Sequence, residues 1–156
     1  MNTNRRKLVV AVDGSAAADA AVGSALEVAT AMDATLLFIH AVSPLAEELF
    51  GTYPEEGPPL EEILARDPVL AAAMTRAGEQ GLEADVAIVA DEGGSVELAT
   101  EIAGIAAGSG ATMIVTGSRG RGTMAGAVLG SVSHNLIRYA SVPVLVVHDP
   151  SQQHAG

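Results

Sequence analysis

The sequence predicts an α/β fold: a single-domain open parallel sheet with helices on both faces. Three observations point there. Five short apolar runs rich in Val, Ile and Leu recur along the 156 residues, and they are nearly continuous rather than alternating, which suits strands covered on both sides. Segments of helical periodicity separate several of them, the order that builds right-handed βαβ units. Hydrophobic residues make up 49% of the chain against 17% charged, enough apolar side chains to fill one core. The expected domain covers residues 1–150, and residues 151–156 read as a frayed tail.

Leu8 to Val12 is the first expected strand. A helix follows, with Ser15 as its N-cap, Asp19 near the positive end of its dipole, and Val22, Ala25, Leu26, Ala29 and Met32 at helical spacing. Thr35 to Val42 is the second strand. Residues 43 to 81 are less regular: Pro44, Pro54, Pro58 and Pro59 punctuate an acidic stretch, after which Leu60 to Arg66 and Val69 to Gly81 are compatible with helix, broken or restarted at Pro68. Asp85 to Ala90 is the third strand. The next helix begins at Ser95, buries Leu98, Ile102, Ile105 and Ala106, and ends near Gly108 or Gly110. Met113 to Thr116 forms the fourth strand. The last helix starts at Ser131 with Val132, Leu136 and Tyr139 on one face, Pro143 stops it, and Val144 to Val147 is the fifth strand.

Charge and composition exclude several functions. The formal net charge of -11 opposes nucleic-acid phosphate and anionic lipid. No apolar run approaches the roughly 20 residues of a membrane-spanning helix, so a soluble, cytoplasmic protein is expected. Without cysteine there is no disulfide framework, thiolate metal site or thiol nucleophile. Charge is also unevenly placed. Residues 45 to 101 hold fourteen Asp or Glu against Arg66 and Arg76, whereas residues 102 to 148 hold no acid and carry Arg119, Arg121 and Arg138. An anion is tolerated in the second stretch, although Ala- and Gly-rich core sequence is poor in charge of either sign for reasons of packing alone.

In an open parallel sheet, ligands bind at the carboxyl ends of the strands. Ala11 and Val12 lead there into Asp13, Gly14 and Ser15. Asp13 is placed to accept hydrogen bonds from a ribose or to hold a metal-bound water, or else only to cap the helix with Ser15. The run from Gly117 to Ser131 leaves the fourth strand and enters the last helix with five glycines. Backbone N–H groups can converge there unobstructed, and the helix N-terminus adds its dipole, so the run reads as an anion cradle strengthened by Arg119 and Arg121. A loop that is merely flexible is the competing reading. The Gly-Lys-Ser/Thr ending of a P-loop is absent, and the run does not follow the first strand as a dinucleotide fingerprint would. His40, His134, His148 and His154 show no metal-ligand spacing and read as structural or exposed. No Gly-x-Ser-x-Gly elbow is present.

Glycine, two residues, glycine, nine residues, then Gly-Ser, met here by Gly117, Gly120, Gly130 and Ser131, resembles the nucleotide-binding signature of the universal stress proteins. Val10 to Ser15, Ile39 to Val42 and Ser141 to Val147 resemble that family's opening, second and closing strands, so the likeness covers nearly the whole chain. It implies a Rossmann-like sheet of strand order 3-2-1-4-5, a homodimer through Pro143 to Val147, and bound ATP with magnesium. Carried across, the likeness sets Asp13 beside the ribose and metal and the backbone of Ala41 at the adenine. Gly117, Arg119 and Gly120 would line the ribose and phosphates, and Gly130, Ser131 and Val132 would hold the outer phosphates. Two features depart from the pattern: Thr112 stands where many members have an acid, and the acidic, proline-rich stretch 43 to 62 replaces a short connection. The function so implied is a nucleotide-dependent regulatory or binding module of the stress response, acting through a protein partner. The alternative is an adenine-nucleotide hydrolase or adenylyl-transferring enzyme of the wider α-hydrolase-like group. Against it, no general base is legible, and the only lysine, Lys7, precedes the first strand.

Overall fold

The computed structural model describes residues 5–43, 58–120 and 129–152. Its five strands are β1 (Lys7–Val12), β2 (Thr35–Val42), β3 (Ala84–Ala90), β4 (Met113–Gly117) and β5 (Val144–Val147). All pairings are parallel, in the order β3-β2-β1-β4-β5. Between them run α1 (Ala16–Met32), α2 (Leu60–Arg66), α3 (Pro68–Glu79), α4 (Ser95–Gly108) and α5 (Ser131–Tyr139), with one 3-10 turn at Pro150–Gln152. The fold class and strand order match the expectation.

Alternate residues of each strand feed two cores, as the period of two demands. Leu8, Val10, Val12, Leu36 and Phe38 pack with α1 and α3 on one face. Val9, Ile39 and Ile114 pack with Leu98, Ala99 and Ile102 of α4 and Leu136 of α5 on the other. Helix α1 buries five alanines, Ala17, Ala18, Ala21, Ala25 and Ala29, beside Val22 and Leu26, and the small side chains let its backbone lie close to the strands. Its start is as expected: the Ala18 N–H donates to Ser15 Oγ at 3.2 Å.

Pro68 does restart the helical segment, because a proline at the first helical position loses only an N–H that has no partner anyway. Asp67 supplies the cap, accepting from the Leu70 N–H at 3.0 Å. One expectation fails. Tyr139 does not join the buried stripe of α5; it is 45% exposed beneath the Arg138 guanidinium, whereas Ser133 and Leu136 are buried. The buried face of this nine-residue helix runs through Ser133 and Leu136 toward Ala140, which packs on the same core as Leu136, so Tyr139 stands to one side of it. The sheet ends in two unlike edges. Strand β3 carries the exposed Asp85 between Glu83 and Asp91, while β5 carries no charge and all four of its residues are half-buried.

Candidate functional site

Strand order places β1 between β2 and β4, so the chain reverses direction across the sheet at the ends of β1 and β4, where a crevice must open. A cavity of about 490 Å³ lies there, within the size range of small-molecule sites. All ten residues singled out in the sequence line it. Ala11, Val12 and Asp13 come from the end of β1, Ala41 from β2, Gly117, Arg119 and Gly120 from the end of β4, and Gly130, Ser131 and Val132 from the start of α5.

Local rules fix each part. Asp13 Oδ1 accepts the Ser15 N–H at 2.9 Å, a turn that aims the carboxylate at the crevice edge. The Ser15 hydroxyl donates to the Arg119 carbonyl at 3.4 Å, linking the two loops. Gly130 occupies the N-cap of α5 in an extended conformation, with φ of -68° and ψ of 158°, and has no side chain with which to cap the helix. The first turn, Ser131 to Ser133, lines the cavity, and the N–H groups and dipole of a helix start favour an anion before them. Arg119 adds positive charge, Asp13 and Asp91 negative charge. Beside the cavity, the Ser151 hydroxyl and then its N–H hold the Asp149 carboxyl below its ordinary range, and the charge of Arg119 pushes more weakly in the same direction. Arg121, expected to strengthen the cradle, lies outside the described residues, as do Pro44 and Pro54 and most of the acidic stretch.

The structure adds residues that sequence reasoning did not place at the site. Thr116, Ser133 and Asp91 line the cavity; Asp91 follows β3 just as Asp13 follows β1, and the same rule would have found it. His40 also lines it. Its Nδ1 lies 2.6 Å from Oδ2 of Asp67, a carboxylate only 3% exposed, so the ring ties the end of β2 to the start of α3. This is a structural role, as expected for that histidine, but it stands in the wall of the crevice.

Known proteins place nearly the whole chain in one family. The model of the universal stress protein family matches residues 4–148. A universal stress protein of Mycolicibacterium smegmatis is 32% identical over 155 residues, covering 93% of this chain and 49% of its own. Universal stress protein YxiE of Bacillus subtilis is 30% identical over 149 residues, with 90% of this chain and 97% of that one covered. A universal stress protein solved in complex with cAMP superimposes with a TM-score of 0.64 at 27% identity, over 92% of this chain and 97% of that one. The chain thus spans about half the length of the mycobacterial relatives and nearly all of the Bacillus one. Sheet order, glycine spacing and family match converge on one conclusion: the chain belongs to the universal stress protein family.

Proposed function

We propose that the chain binds ATP, with magnesium, in this cavity and acts as a nucleotide-dependent regulatory module of the stress response in the cytoplasm. One observation carries the reading: residues from four separate stretches of sequence meet around one crevice that ends on the N-terminus of α5, whose N-cap is a glycine. Such a terminus offers converging N–H donors to phosphate without a lysine. The outer phosphates would rest on Gly130, Ser131 and Val132, with Gly117, Arg119 and Gly120 along the ribose and inner phosphates. Asp13 would meet the ribose and the metal's water shell, since magnesium keeps its waters and travels with phosphate. The adenine would lie against the backbone of Ala41. The relative solved with cAMP supports an adenine nucleotide here.

Calorimetry with ATP, together with mass spectrometry of small molecules released from protein purified without added nucleotide, tests this; a protein that binds no adenine nucleotide overturns it. Turnover of ATP with magnesium should stay far below the roughly 10 s⁻¹ median of dedicated enzymes. A rate near that value, abolished by Asp13→Ala, would replace the module by an enzyme.

The module would work as a homodimer through Pro143 to Val147. Strand β5 is the edge of the described sheet, a place where another chain can pair, and the mycobacterial relatives are about twice this length. Leu145 and Val147 pack on the α1 core and Val144 on the opposite core, while Val146 joins neither. Val146→Lys should therefore turn dimer into monomer with the fold intact, whereas Leu145→Lys should damage the core. Light scattering that finds the unmodified protein monomeric at micromolar concentration would remove this interface.

A further inference from the structure

Strand β4 ends at Gly117 and α5 begins at Ser131, and two short hydrogen bonds join these two ends of the glycine-rich run. The Gly130 N–H donates to the Ser118 carbonyl at 2.6 Å. The Ser133 hydroxyl donates to the Gly117 carbonyl at 2.6 Å, across sixteen positions of sequence. Ser118 is in turn fixed to the sheet, its N–H donating to the Val147 carbonyl at 2.8 Å. Ser133 is 3% exposed and lines the cavity. The Thr116 hydroxyl also reaches the buried Gly117 carbonyl, but at a longer 3.4 Å, so the Ser133 hydroxyl is the closer of the two side-chain donors.

We propose that Ser133 is a positioning residue for phosphate binding: its hydroxyl clasps the neck of the glycine loop and sets the Gly117–Gly120 segment at a fixed distance from the N-terminus of α5. This rests on the nucleotide reading given above. The physical reason is preorganisation. Both segments must address one triphosphate, and a neck that is already closed spares the ligand the cost of ordering the loop ends. The adenine end of the cavity, built from β2, does not depend on this bond, so the effect is confined to the phosphates.

The test compares Ser133→Ala with the unmodified protein, measuring ATP affinity by calorimetry, adenosine affinity by competition at millimolar concentration, and exchange of the Gly130 N–H. ATP affinity should fall about fivefold, adenosine affinity should hold within about twofold, and the Gly130 N–H should lose protection. Unchanged ATP affinity in the variant overturns the assignment of Ser133 alone. Equal losses for ATP and adenosine overturn it too, since they mark a general packing defect. Unmodified protein that binds no ATP overturns the nucleotide reading, and the role of Ser133 with it.

Discussion

Gly117→Ala should destabilise the protein by about 3 kcal/mol, at the upper end of ordinary overpacking costs. A Cβ at this position would stand 2.7 Å from the carbonyl carbon of Ala17, 2.8 Å from the nitrogen of Ala18 and 3.0 Å from the Ala17 Cβ. These are backbone atoms in the first turn of α1, held by the Ser15 cap and by the alanine face that lets α1 approach the sheet, and they cannot turn aside as a long side chain would. Either β4 or the start of α1 must shift. For a chain of this size the melting temperature should drop by roughly 6–12 °C. Gly120→Ala is the contrasting case, because there the added carbon meets the Asp13 Oδ2, 2.6 Å away, at the end of a side chain that can rotate. Its cost should fall on the placement of the Asp13 carboxylate more than on stability. Urea unfolding checks both; a midpoint for Gly117→Ala equal to that of the unmodified protein would show that α1 does not press on β4. On this account the first glycine of the spacing is required by packing, and the second by the site.

Gly130→Val should weaken ATP binding at least tenfold, about 1.4 kcal/mol. The backbone at Gly130 lies in an ordinary extended region, which a β-branched residue adopts without strain. The substitution thus acts through its side chain, at the N-cap where phosphate oxygens would approach the first-turn N–H groups of α5. Calorimetry on the variant, with its melting temperature recorded alongside, separates loss of binding from loss of fold. Unchanged affinity in folded Gly130→Val protein would remove the phosphate-cradle assignment.

Much of the architecture was legible because its signals are local and repeated. Five apolar runs, each covered on both faces, leave few arrangements other than a parallel sheet, and Ser15 and Pro68 mark helix starts by chemistry that acts within one turn. The crevice was legible for a related reason: in such a sheet the strand ends are where loops must meet, so Asp13 and the glycine run had to face each other once the sheet order was set. What escaped were long-range pairings between unremarkable residues. Nothing in the spacing of His40 and Asp67 announces a bond, since it depends on how α3 is laid against β2. Ser133 looked like one more polar residue on a short helix, and its hydroxyl matters only because α5 begins directly over the end of β4. Tyr139 shows the opposite error: a spacing of three from Leu136 fits the helical period, but the core takes Ser133 and Ala140 beside Leu136 instead.

The unlike edges of the sheet bear on how large an assembly can become. A sheet with two receptive edges can add copies at both and grow without limit into a fibre. Here the β3 edge presents the exposed Asp85 carboxylate, with Asp91 beyond its end and Glu83 paired to Arg5 at 3.0 Å, and two such edges brought together would set the Asp85 carboxylates against like charge. Of the two, the uncharged β5 edge is the one suited to the proposed dimer. In that dimer both remaining edges would present Asp85 and disfavour further addition, so the arrangement would terminate itself. Neutralising Asp85 would weaken this stop and favour assemblies larger than a dimer.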